Sequence, residues 1–473
     1  MAEIWYYKKI REQEREIKNL REDKEKKDEE IKEFKEKVRE LEDKLKQFAI
    51  RKSSKRPKFP DFSLSKQERL INHNKGKSTG RRLKTDKLKE VTKEKHIYPE
   101  GINKTKCCCI NKRIVTRLIE GKKEVILYYI YKEKWGNKTG KIKSVFSKSE
   151  YGMEITVILA FLVYELHLSV ENTRKILLFF CDLELSKSQI NSLLEQISGK
   201  WEKEFNNISN LILLSLVVYI DETGWKIFDK NCYTWIFKSI NHTLLLYGEK
   251  RNEEVLDKIL PLDQFEGIGV TDCYRVYVKR FKKAQKCWAH FLRDAIKLML
   301  LYPNNEKYKI FFQEALKIFH DSKKIKKDNT SQQQKEKSVL ELTERIKTIC
   351  NEVDTKLNKE SSLDYRKYVN LHKRLINNLD DLFVFVTTAA EPTSNIAERG
   401  LRPTAIARNN YQTSKTKKGA KRRSIISSVL SSLKQNLHDF TLKTVTAEIL
   451  KWESTGKSLF HMQLQTAQQS LSP

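Results

Sequence analysis

The sequence predicts a multidomain α/β protein, and three observations carry that prediction. At 473 residues the chain is longer than one hydrophobic core usually organises. Its apolar residues recur with helical spacing in some stretches and alternate in others, so helices and strands share the chain. Charge-rich segments without either period separate these stretches, as linkers and solvated helices do.

Composition narrows the partners. Lys and Arg number 93 against 62 Asp and Glu, a formal charge of +31. That excess points to a polyanion, with nucleic acid ahead of an anionic membrane surface. The N-terminal "MAEIWYYKKIREQ" lacks the apolar core of a signal peptide. The runs "ITVILAFLVY" and "LILLSLVVYI" are about half of the roughly 20 residues that span a bilayer. No membrane partner is expected, and a cytoplasmic, nucleoid-associated protein is. Eight scattered cysteines without a paired pattern read as reduced thiols.

In residues 1–50, Ile10, Ile17, Ile31, Val38 and Leu45 fall seven apart with Lys24 in the gap. Leu20, Phe34, Leu41 and Phe48 form a second such series around Lys27. This is an a/d seam with one polar layer, which predicts a self-associating coiled coil and so a homo-oligomer. Residues 51–96 lose the period and turn basic ("RKSSKRPKFP"), which predicts a flexible linker able to track phosphates. In residues 97–150, "RIVTRLIEG" and "KEVILYYIYKEKW" alternate and are rich in β-branched and aromatic side chains, predicting a small β-rich module. Cys107, Cys108 and Cys109 at its start are adjacent and have no second pair at finger spacing, so no structural zinc is expected there.

Residues 151–205 read as helices. "LSVENTRKILLFF" opens on Ser169 and "LSKSQINSLLEQIS" on Ser186, both suited to capping a helix N-terminus. Two short helices joined by "CDLEL" fit a helix-turn-helix that binds DNA, or an ordinary helical hairpin. In the first reading Lys187, Gln189 and Asn191 on the second helix contact the groove and phosphates.

From about residue 211 the period becomes that of strands: 214–221, 232–238 and 242–247, then a helix over 252–260, then "GIGVTD" and "KAQKCWAH" as further strands. Three strands, a helix and more strands is the order of a ribonuclease H-like domain, assigned to 206–302 and 386–450. Residues 303–385 read as a helical insertion with a break at "KKIKKDNTSQQQKEKS", and 451–473 as a polar tail.

Carboxylates mark the strand ends. "LVVYIDETGWKIF" breaks its apolar run at Asp221-Glu222, and "EGIGVTDCY" ends on Asp272. Either these are solvated turn residues or they hold something. In a ribonuclease H-like sheet the first and fourth strands are neighbours, so the two acids could share divalent ions. Oxygen-only ligation suits Mg2+, and a pair of ions serves in-line phosphoryl transfer. "EPTSNIAERGLRPTAIARNN" offers Glu391, held before a helix by Pro392, or Glu398, inside it beside Arg399, Arg402 and Arg408, which suit phosphates.

"YIDETGW", "VTDCYRVY", "CWAHFLRD" and above all "SNIAERGLRPTAIARNN" resemble the core of insertion sequence 66 family transposases, over roughly residues 151–450. The resemblance implies that Asp221, Asp272 and Glu398 form a metal-binding catalytic triad using two Mg2+ ions, for which Mn2+ can substitute. It also implies that 168–198 is a helix-turn-helix and that the block between Asp272 and Glu398 is an insertion. Phosphodiester hydrolysis at an element end and strand transfer of the freed 3′-OH into target DNA would follow, with paired ends, an oligomer and helper proteins. Cys287-Trp288-Ala289-His290 matches a Cys-x-x-His element of related families, either a core contact or half of a zinc site. Family members often carry a cysteine-based zinc segment before the helix-turn-helix, and here only Cys107–Cys109 stand in that neighbourhood. A nuclease of the same fold, an inactive DNA-binding descendant and a basic scaffold for RNA are the rival readings.

Overall fold

The computed structural model describes Glu36 and residues 84–470, with the exception of 148, 229, 352–361 and 412. The expected coiled coil and the linker as far as residue 83 lie outside the described residues. The last part of the expected linker is ordered: α1 (Lys84–Lys89) and β1 (Lys93–Ile97) precede the β module. Most of β1 falls within the expected linker, yet its charged "KEKHI" lies parallel to β3 (Lys122–Glu133). β2 (Cys107–Ile119) pairs antiparallel with β3, giving the order β1-β3-β2. Glu120 and Gly121, both at positive φ, close the β2–β3 hairpin in two residues, the backbone such a tight turn requires. Val115, Ile126, Tyr128 and Val145 bury one face of this sheet.

Helix α2 (Met153–Ala160) runs on into one π-type turn at Phe161–Glu165. Ser169 caps α3 (Val170–Cys181) by accepting from the Asn172 amide, and Asp182 in the left-handed region ends it. Ser186 opens α4 (Lys187–Leu213) with a reciprocal capping box to Gln189. The second helix is not short: its buried stripe continues through Trp201, Ile208 and Leu211 for 27 residues.

The central sheet has the order β6-β5-β4-β7-β8, from β4 (Val217–Ile227), β5 (Lys230–Lys238), β6 (Thr243–Glu249), β7 (Ile268–Thr271) and β8 (Lys283–Lys286). β4, β5 and β6 form an antiparallel meander, whereas β7 and β8 join parallel to β4. Both faces are covered. Val218, Ile220, Trp235, Phe237, Leu244 and Leu246 meet the core formed with α2–α4 and the C-terminal helices. Tyr219, Trp225, Ile236, Leu245 and Val270 meet a second core on the other side. That second core comes from α6 (Trp288–Leu301), α7 (Glu306–Lys327), α8 (Gln332–Asn351), α9 (Leu363–Ile376) and α12 (Asn395–Tyr411). Strand alternation alone therefore sends odd-numbered residues of β4 toward α12.

Three expected limits moved. β4 does not turn at Asp221 but continues six residues further, because β5 goes on pairing with it to Ile227. The expected strand "KAQKCWAH" is a strand only to Lys286, and Trp288 begins α6. The helix expected at 252–260 is α5 (Glu254–Ile259).

Helix α13 (Lys417–Asn436) covers the edge of β6 with a row of buried serines. Ser424, Ser428 and Ser432 accept from the amides of Tyr247, Leu245 and Thr243 at 2.8–3.0 Å. Ser428 and Ser432 also donate to the Leu245 and Thr243 carbonyls at 3.3 and 3.1 Å. A helix thus satisfies the backbone groups that another strand would otherwise pair with. α14 (Leu442–Thr455) and α15 (Leu459–Gln469) are the last helices of the described residues.

Candidate active site

Asp221 lies where β4 parts from its parallel neighbour. The β4–β7 ladder runs from Val217↔Ile268 to Tyr219↔Val270 and stops. Continuing that register by two residues sets Asp272 alongside Asp221. Asp272 follows the last residue of β7, and its Oδ1 accepts from the Tyr274 amide at 2.8 Å. The Glu222 amide donates to Asp221 Oδ1 at 2.9 Å. Burial, and then the Glu222 carboxylate, push the pKa of Asp221 up to about 7, and Asp272 and Glu398 push it further the same way. Asp272 and Glu398 are thus near enough to act on Asp221.

Glu398 sits in the first turn of α12, which packs over β4 and β5. Gly400 permits that approach, since a Cβ there would come within 2.4 Å of Ile236 Cδ1. The start of α12 is pinned to α6: the Ser394 amide donates to Cys287 Sγ at 3.2 Å and the Trp288 amide to the Pro392 carbonyl at 3.0 Å. Cys287 is fully buried, so it is a core contact whatever else it does. Glu398 Oε1 lies 3.7 Å from His290 Nε2, and Oε2 lies 3.6 Å from an Arg293 nitrogen. The neighbouring Cys287 sulfur raises the pKa of His290. Glu391, the other candidate acid, is exposed and 3.9 Å from Lys326.

Three features bear on whether cations fit here. Asp221 is held in a field of like charge that a cation would relieve. Glu398 Oε1 is buried without a hydrogen-bond partner among the described residues. The donors of the three acids are all carboxylate oxygens, the set that hard divalent ions take. Among the described residues, however, the group that brings three ligand atoms within 4.8 Å of one another is Cys287, His290 and Glu398. Glu398 therefore faces two donor sets, the acids on the strands and the thiol–imidazole pair on α6.

A polar scaffold stands behind the acids that the sequence reading missed. Glu222 has a side chain only 2% exposed, and Arg251 meets it at 2.7–2.8 Å while the Tyr277 hydroxyl donates to its other oxygen. The Arg251 guanidinium lies 3.8 Å from the ring centroid of Tyr274, the residue whose amide holds Asp272. Lys286, also buried, reaches Thr271 Oγ1 at 3.2 Å and the Tyr277 carbonyl at 3.3 Å. Burial lowers its pKa. Only the adjacency of Glu222 to Asp221 and the spacing of Arg293 after His290 were visible as signals.

The expected DNA-contacting residues divide. Arg399 and Arg402 are exposed on α12. Arg408 donates instead to the Gly224 carbonyl at 2.7 Å and Thr223 Oγ1 at 3.3 Å, fastening α12 to β4. Lys187 pairs with Glu171 at 2.9 Å. Gln189 caps Ser186 and donates to the Tyr151 hydroxyl at 2.8 Å, and Asn191 accepts from Arg422 at 2.9 Å. Trp225 is buried and donates to Ser414 Oγ at 3.1 Å.

Among the described residues, no helix is long and apolar enough to cross a membrane. No curated protein matches the chain. The family model Transposase IS66 family matches residues 148–422, more than half of the sequence and the span that holds all three acids. The chain belongs to the Transposase IS66 family.

Proposed function

We propose that the protein is a DNA transposase that cleaves phosphodiester bonds at the ends of its element and joins the freed 3′-OH to target DNA. The observation that supports this reading is the register that sets Asp221 of β4 beside Asp272 at the end of β7, with Asp221 driven up to about 7 by burial, then by Glu222, and further by Asp272 and Glu398 on the covering helix. A meander of three strands followed by two parallel ones on its inner edge supports a ribonuclease H-like core. Asp221, Asp272 and Glu398 would hold two Mg2+ or Mn2+ ions, which when bound activate the attacking oxygen and stabilise the leaving one.

The chain's own residues do the rest. The Tyr274 amide fixes one Asp272 oxygen and the Glu222 amide fixes one Asp221 oxygen, so each acid presents its remaining oxygen to the site. Arg399 and Arg402 offer exposed guanidinium groups to the phosphates flanking the reacting one. Helices α3 and α4 would serve as the helix-turn-helix that recognises the ends. An oligomer formed through residues 1–50, with helper proteins, would pair those ends.

The test is cleavage and strand transfer on labelled linear DNA carrying the flanking ends, with Mg2+ or Mn2+. Wild type is compared with Asp221→Asn and Glu398→Gln. Metal-dependent nicking at the end, lost in both variants while binding persists, supports the reading. Cleavage without end preference replaces it with a nuclease, and binding without chemistry in wild type replaces it with an inactive descendant.

A further inference from the structure

One face of the β1-β3-β2 sheet is covered, and the other is buried at Val125 and Leu127 but opens toward Tyr129 and Tyr131. On the covered face Val115 and Ile126 are fully buried. On the open face the register aligns His96, Tyr129 and Lys112 in one row, and Tyr131 lies two residues further along β3. His96 stacks on Tyr129 with centroids 4.7 Å apart and planes 10° from parallel. Tyr98 stacks on Tyr131 at 4.2 Å and 24°. The two stacks join through His96 Nδ1 and the Tyr131 hydroxyl, 3.0 Å apart. Lysines sit over the rings: Lys112 Nζ is 4.8 Å from the Tyr129 centroid and Lys104 Nζ 5.5 Å from that of Tyr98. His96 is exposed, and Tyr98, Tyr129 and Tyr131 are half-buried.

We propose that this open face binds single-stranded DNA by stacking bases against the His96–Tyr129 and Tyr98–Tyr131 rings while Lys104 and Lys112 meet its phosphates. Charge selects the occupant. Residues 93–143 hold fourteen lysines and arginines against five acids, which suits a polyanion and not an apolar protein surface. Within a nucleic acid, the rings select the single strand. A duplex keeps its base faces covered by their neighbours, whereas an unpaired strand can lay any base on an aromatic ring. Lys112 and Lys104 cover ring faces of Tyr129 and Tyr98, and an incoming base takes such a face by displacing the flexible ammonium toward the adjoining phosphate. This surface lies on elements remote in sequence from the three acids, and it stands whether or not the proposed chemistry does.

The experiment is fluorescence polarisation with the full chain at fixed salt, using a labelled oligothymidylate and a duplex of the same length. The double variant Tyr98→Leu/Tyr129→Leu is expected to weaken single-strand binding about 10–100-fold and leave the duplex unaffected. Tyr98→Phe/Tyr129→Phe, which keeps both rings, should bind like wild type. Lys104→Ala/Lys112→Ala should weaken single-strand binding and flatten its salt dependence by a slope of roughly 1.4. Thermal melting of every variant identifies any that has lost its fold, and the lysine pair then stands as the second measurement. Unchanged single-strand affinity in the leucine variant overturns the proposal, as does an equal loss on both DNAs. An oligouridylate bound in clear preference to oligothymidylate also overturns it, in favour of RNA.

Discussion

His290 Nε2 lies 3.7 Å from Glu398 Oε1, and Arg293 approaches the other oxygen of the same carboxylate at 3.6 Å. One turn of α6 thus brackets the acid that α12 contributes. Side chains that orient a metal-binding carboxylate set its geometry without joining the chemistry.

Under the proposed function, His290→Ala is expected to lower end cleavage about 10–100-fold, with DNA binding unchanged. Arg293→Ala alone should cost less, since its side chain is more than half exposed. A His290→Ala variant that cleaves like wild type would remove His290 from this role.

Asp221 offers a test of the proposed cations without any turnover. Burial and acidic neighbours make its negative charge unfavourable in the metal-free protein. Above pH about 7, Asp221→Asn should raise the metal-free melting temperature, by about 1 °C for each 1 kcal/mol relieved in a chain of 473 residues. Mg2+ should raise the melting temperature of wild type more than that of the variant. Equal Mg2+ shifts would place the ions elsewhere.

Arg251 and Glu222 form a pair that can be taken apart. Arg251→Met leaves the buried Glu222 carboxylate with only the Tyr277 hydroxyl. Losing one partner of a fully buried pair costs roughly 3–5 kcal/mol, and the 36% exposure of Arg251 reduces this to about 2 kcal/mol. Adding Glu222→Gln should recover most of the loss, as read by denaturant unfolding. If Arg251→Met is neutral, the pair is not holding the ground behind Asp272.

His167 predicts an acid limb. Its pKa falls to about 4, because burial and then Arg423 disfavour the charged ring. The unfolded chain, at about 6.5, takes up the proton first. The contribution to stability is present above pH about 6.5 and is lost as pH falls toward 4. His167 occupies positive φ, so Asn is the substitution that the backbone tolerates best. His167→Asn should flatten the fall in melting temperature between pH about 6.5 and about 4, the ends of that window. An unaltered slope would mean that other groups carry it.

Local features were legible in the sequence. Ser169 and Ser186 cap the helices they were expected to cap, because an N-cap needs only residues within three positions. The alternating run before Asp221 and the apolar run before Asp272 both form strands. What the sequence hid depends on remote partners. β4 continues past its polar residues only because β5 pairs with them, and charged β1 is a strand only because β3 lies beside it. Arg408 reads as a phosphate ligand until β4 offers it a carbonyl. Glu222 reads as a second surface acid until Tyr277 and Arg251 close over it from 55 and 29 positions away.

The serine row on α13 has a consequence in simple measure. Four residues advance a helix by about 6.0 Å, whereas two residues advance a strand by roughly 6.6–6.8 Å. Each step from Ser424 to Ser428 to Ser432 therefore lags its strand partner by about 0.7 Å, and two steps accumulate about 1.4 Å. Rotating hydroxyls absorb that much, as the three bonds attest. A fourth or fifth step would pull the two rulers out of phase. A helix can seal a sheet in this way only when the margin is short, and β6, at seven residues, is short enough. The margin is thereby withdrawn as a template for a second chain, so copies of this protein that assemble must do so through some other surface.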